Sequence, residues 1–261
     1  AEVMMFAHIK HAAIYTQNPG VMIAFYEKIL GMRRITTAVT EANRGHISVG
    51  LIGLAVLARR PGIPGGLDHF GFEVDDIDLV LRRIREKYPK TIITKGLEKV
   101  PFAVFRSHDP AAAHFDISER TNEKVREGYK EDGWDQPRQC NHLVIRAAEP
   151  RQVAGFYQEV FELFEVKEPP LGDAVCLSDG KVRLLILPTN NSSYISMRQG
   201  LDHIGFKVES LEQVKKDLDA LATSAPASAA KDIGGGIFGD FTKKDMEGGK
   251  IGQHALADPE G

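Results

Sequence analysis

Leu67-Asp68-His69-Phe70-Gly71-Phe72-Glu73-Val74 returns as Leu201-Asp202-His203-Ile204-Gly205-Phe206-Lys207-Val208, identical at six of eight positions. A second pair lies upstream of each copy. Ile9-Lys10-His11 with Phe25-Tyr26 corresponds to Cys140-Asn141-His142 with Phe156-Tyr157. The two halves are therefore duplicates, and a fixed offset of this kind defines the architecture before any single residue does. Three segments follow: a first domain 1–118, a linker 119–137 that Trp134 pins down, and a second domain 138–261.

Each half is itself doubled, because a His-bearing strand opens both of its parts. An amphipathic helix follows each strand. Apolar residues recur at helical spacing in Met22, Phe25, Tyr26 and Ile29, and again in Ile77, Val80, Leu81 and Ile84. Val153, Phe156, Tyr157 and Val160 repeat the pattern, and so do Leu211, Val214, Leu218 and Leu221. Short β-like runs come next: 33–39, 45–49 and 51–59, then 91–94, 103–107 and 114–118, then 164–167, 174–178 and 182–187. The unit reads β-α-β-β-β, four times over, and the fold class is α+β. Ser224–Lys231 and Gly234-Gly235-Gly236 read as loop, with no phosphate-cradling motif.

Composition narrows the function. Thirty-three basic against 36 acidic residues give a net charge of −3, which argues against a nucleic-acid face. No apolar run reaches the roughly 18–20 residues needed to span a bilayer. Two cysteines, Cys140 and Cys176, make no disulfide framework and no Cys-x-x-Cys zinc site, so a reduced cytoplasmic setting is expected.

Alternation sorts the strand faces. Phe70, Phe72 and Val74 belong under the helices, and His69 lies on the opposite, concave face with Gly71. His11, His142 and His203 sort the same way, and Tyr15 shares the His11 face, where it can touch a substrate. In His114-Phe115-Asp116-Ile117-Ser118, Asp116 is on the open side while Glu119 has the wrong parity. Two imidazoles and a carboxylate form a facial set that suits Fe(II) or Mn(II), with positions left for oxygen ligands. His108 is the candidate proton carrier, with His114 beside it. Arg146, on the His142 face, is a candidate for a substrate carboxylate.

Four such units, with the His69 and His203 segments and an Asp109-Pro110 turn before Asp116, resemble the vicinal oxygen chelate superfamily. That superfamily contains glyoxalase I, bleomycin-resistance proteins, methylmalonyl-CoA epimerase and the extradiol dioxygenases. The resemblance implies two tandem domains with cup-shaped sheets and metal ligands on the first strand of each unit and on the last strands. His11 and His69 match first-strand ligands, and Asp116 matches the terminal carboxylate, usually Glu. Glyoxalase I-like sites take a further carboxylate from a strand that here reads Leu51–Ala58, with no acid in it. The resemblance thus implies a dioxygenase cleaving a catechol-like substrate with Fe(II), with Mn, Ni or Zn as alternatives. A lyase or epimerase working through an enediolate, and a resistance-type binding protein, are the other readings. In the second half, His142 and His203 are metal candidates, but the sequence reaches Asp258-Pro259-Glu260-Gly261 without the closing strand. The first cup is therefore expected to be active. The partner is a small molecule, and cups pair either within one chain or across a homodimer.

Overall fold

The computed structural model describes residues 5–35, 44–96, 103–122, 136–167, 172–189, 198–233, 243, 246 and 252–261. Among the described residues the first half runs β1 (Ala7–Thr16), α1 (Pro19–Leu30), β2 (Arg33–Arg34), β3 (Arg44–Ser48), β4 (Gly53–Ala58), β5 (Gly66–Val74), α2 (Ile77–Lys87), β6 (Thr94–Lys95), β7 (Phe105–His108) and β8 (His114–Glu119). The second half gives β9 (Gln139–Ala147), α3 (Pro150–Phe161), β10 (Phe164–Glu165), β11 (Val175–Ser178), β12 (Arg183–Pro188), β13 (Gly200–Lys207) and α4 (Leu211–Ser224).

The first sheet has the order β2-β3-β4-β1-β5-β8-β7-β6, so the first strands of units one and two lie side by side at its centre. The second sheet, β10-β11-β12-β9-β13, repeats this around β9 and β13. The fold is mixed α+β, with one sheet in each half of the duplicated chain. The fourth unit supplies β13 and α4 and then, among the described residues, a lone bridge between Lys231 and Ala257.

Local chemistry sets the helix ends. Asn18, Asp76 and Ser210 each accept a backbone N–H from the first turn of α1, α2 and α4, satisfying donors that the helix itself leaves open. Gly31 closes α1 at φ 66°, a left-handed cap that glycine adopts without strain. The apolar helix faces pack with the convex sides of both sheets into one continuous core. Phe72 of β5 stacks on Phe161 of α3 at 4.0 Å, which ties the halves together.

Two strand expectations need correction. Of the run 33–39, only Arg33–Arg34 joins the ladder, Ile35 adds one bond to His46, and 36–39 lie outside the described residues. In 91–94, Thr91 closes a turn back to Tyr88 and the Ile92 N–H goes to the His108 ring, so the strand begins only at Thr94. Trp134 and Gly234–Gly236 also lie outside the described residues.

Candidate metal centre

The concave face of the first sheet carries one row of residues across five hydrogen-bonded strands. Gly53 of β4 pairs with His11 of β1, His11 with Gly71 of β5, Gly71 with Asp116 of β8, and Asp116 with Arg106 of β7. His69 stands one step along, opposite Ala13 and beside His114.

Two β-bulges aim the histidines. Ile9 pairs with Phe72 and His11 with Gly71, so Lys10 is an extra residue in β1. Strict alternation would put His11 on the side of Ile9, in the core; the bulge turns it into the cup. Likewise Ala13 pairs with His69 and Ile14 with Leu67, leaving Asp68 extra in β5. The freed Asp68 carboxylate accepts the His69 Nδ1 proton at 2.6 Å, which leaves the Nε2 lone pair directed into the cup.

Gly71 provides the clearance. A Cβ there would lie 2.4 Å from His11 Cδ2 and 3.5 Å from the Asp116 Cβ. The His11 ring therefore lies over the bare backbone of β5 and reaches Asp116 on the far side. His11 Nε2 is 3.3 Å and His69 Nε2 3.2 Å from the same Asp116 Oδ2. All three side chains are buried, and their ligand atoms lie within 4.8 Å of one another. Burial pulls the His11 imidazole down to about 4, against its hydrogen bond to Asp116, so the ring is neutral at physiological pH. Burial also disfavours charge on His69, but the neighbouring Asp116 and Asp68 carboxylates outweigh that and raise it. Burial opposes ionisation of Asp116 too, yet His11, His69 and Arg106 together hold it well below the carboxylate range.

Among the described residues this is the only grouping of three metal-type ligands. The sequence reading missed Arg106 and the role of Asp68. Arg106 donates Nε to Asp116 Oδ1 at 2.7 Å and Nη2 to Oδ2 at 3.1 Å. Asp68 had a signal, since Leu-Asp-His recurs at Leu201-Asp202-His203. Arg106 had none: its place opposite Asp116 is set by pairing of β7 and β8.

His108 is placed differently from its assigned role. Its Nδ1 donates to the Asp109 carbonyl at 2.9 Å and its Nε2 accepts the Ile92 N–H at 3.3 Å. With both ring nitrogens engaged in the backbone, it holds a turn. Tyr15 sits at the cup rim opposite Gly66, close enough to influence the Arg106 charge.

The second cup repeats the aiming devices without the grouping. Cys140 pairs with Phe206 and His142 with Gly205, so Asn141 is the bulge. A Cβ on Gly205 would lie 2.0 Å from His142 Cε1. Asp202 accepts the His203 Nδ1 proton at 2.6 Å, and the His142 and His203 rings are 5.9 Å apart. The row runs Arg183, His142, Gly205 and ends there, because no described strand pairs with the other edge of β13. Arg146, buried, lies 3.4 Å from Asp202.

Residues 8–114 match the model of the Glyoxalase/Bleomycin resistance protein/Dioxygenase superfamily. No curated protein matches the chain in sequence. Among solved structures, it is similar to the 2,3-dioxygenase LapB from Pseudomonas sp. KL28, with TM-score 0.58 and 15% identity over 88% of this chain and 84% of that one. The Mn(II)-bound glyoxalase from Novosphingobium aromaticivorans gives TM-score 0.61 and 16% identity over 88% and 73%. A xylose isomerase-like TIM barrel/4-hydroxyphenylpyruvate dioxygenase fusion protein gives 0.57 and 14%, covering 91% of this chain but spanning 41% of the fusion. At these identities the likeness is one of fold.

Proposed function

From a chain whose residues 8–114 belong to the Glyoxalase/Bleomycin resistance protein/Dioxygenase superfamily, we propose a metal-dependent enzyme acting on a small substrate with vicinal oxygens, a ring-cleaving dioxygenase first. The observation that supports it is the convergence of His11 Nε2 and His69 Nε2 on one oxygen of Asp116. The three ligand atoms lie close enough together that His11, His69 and Asp116 could hold one cation between them. Two imidazoles and one carboxylate suit Fe(II), and Mn, Ni or Zn are accepted by the same donors. Bound there, the ion supplies Lewis-acid polarisation and, as Fe(II), access to dioxygen chemistry.

The chain's own groups do the rest. His11, His69 and Asp116 would hold the ion within the buried cup. Asp68 fixes the His69 tautomer, and Gly71 lets the His11 ring lie flat. Tyr15 contacts the arriving substrate at the rim. β4, Gly53–Ala58, offers no carboxylate as a fourth ligand, which favours the three-ligand reading over a glyoxalase-type one. A lyase or epimerase remains the second reading because of the likeness to the Mn(II)-bound glyoxalase.

The test is elemental analysis of anaerobically purified protein, followed by oxygen uptake with a panel of catechols. Stoichiometric metal with oxygen uptake supports the dioxygenase. Metal without oxygen uptake moves the reading to the lyase, and no retained metal after reconstitution moves it to a binding protein.

A further inference from the structure

Arg106 enters the metal centre as a cation the chain carries itself. It lies directly opposite Asp116 in the β7–β8 ladder, so its side chain starts beside the carboxylate. The guanidinium forks onto both Asp116 oxygens, and Nη2 also donates to His69 Nε2 at 3.2 Å. One nitrogen thus uses the lone pairs of two of the three ligand atoms. A lone pair directed at an N–H is not directed at a metal ion, and a guanidinium and a divalent cation about 3 Å apart repel strongly in a buried site. The Arg106 side chain is 38% exposed, whereas Asp116 is 1% exposed, so the arginine has a path outward and the carboxylate has none.

We infer that Arg106 is a resident competitor for the metal: it neutralises Asp116 while no ion is bound and swings toward the cup mouth when one binds. This rests on the metal-centre reading above. The apparent affinity for an ion then falls by the fraction of molecules whose arginine is out, so an inward preference of ten to one weakens binding about tenfold.

The experiment measures Mn(II) binding to metal-stripped, full-length protein by electron paramagnetic resonance of free Mn(II) and by calorimetry. Wild type is compared with Arg106→Gln and Arg106→Lys. Arg106→Gln is expected to bind Mn(II) about tenfold tighter, with Arg106→Lys between the two because an ammonium lacks the fork. Should Arg106→Gln not fold by circular dichroism, Arg106→Lys decides alone: tighter binding supports the inference, and equal or weaker binding overturns it. Measurable but unimproved Mn(II) binding in the variants overturns the competitor while leaving the metal centre standing. Absence of Mn(II) binding in every form overturns both.

Discussion

The two cups share their parts and differ in how the row across the sheet is completed. Each has a bulge before the first histidine, a glycine under its ring, and an aspartate orienting the second histidine. In the first cup the row continues from Gly71 to Asp116, and a carboxylate faces two imidazoles. In the second cup Arg183 occupies the place of Gly53 beside the first histidine, and Arg146 the place of Tyr15. Burial first, then His203 and Arg183, pulls the His142 ring down to about 4. Duplication therefore copied the imidazoles, while the carboxylate beside them belongs to the first cup among the described residues. Among the described residues the second cup has positive neighbours and no carboxylate at the place of Asp116, which disfavours a cation there.

That contrast can be broken by mutation. The largest effect is expected from His11→Ala or His69→Ala, which should abolish stoichiometric metal, whereas His142→Ala and His203→Ala leave it unchanged. Metal analysis of the four variants decides, and loss from the second pair would reverse the assignment. Gly71→Ala comes next. Its methyl meets the His11 ring, so metal affinity should fall on the order of 10–100-fold, as when a ligand's support is lost. Gly205→Ala meets the His142 ring as closely, yet should cost only stability, about 1–3 kcal/mol by denaturant melts. Asp68→Asn should weaken metal binding on the order of 10-fold through the His69 tautomer, with Asp202→Asn silent in the same titration.

The smallest effect concerns the turns that join the halves. Asp109 accepts the Ala111 and Ala113 N–H groups and the Tyr157 hydroxyl, the last at 2.8 Å from the other half. Burial pushes this carboxyl up to about 6 despite those bonds. A raised native value means that the folded state holds the proton more tightly. Its stabilising contribution is then complete below the ordinary value of 3.8 and lost as pH rises through about 6. Asp109→Asn should flatten that part of the Tm profile by a few degrees. Asp258, the counterpart in the last turn, is also raised by burial and acts on Tyr26, the equivalent of Tyr157. Asp258→Asn should give a weaker change of the same sign.

Much of this was legible in one dimension, because duplication writes itself twice. Leu-Asp-His-x-Gly-Phe at two places marks the central strands, and helical spacing at Met22 to Ile29 and at Val153 to Val160 marks the helices behind them. The alternation that put Asp116 on the open face also held, since β8 is regular against β5 from His114 to Glu119. The role given to His108 found no signal against it, because the bond that ties its ring comes from Ile92, sixteen residues away in a turn.

Periodicity and repetition are local properties of a chain, so the amino acids alone determined three units, the opening strand and helix of the fourth, and the identity of three polar groups facing one cup. Where a bulge falls, which glycine lies beneath a ring, and that Arg106 meets Asp116 are matters of strand register. Register is settled only when distant strands pair and their core faces pack, and so only the tertiary structure decided them.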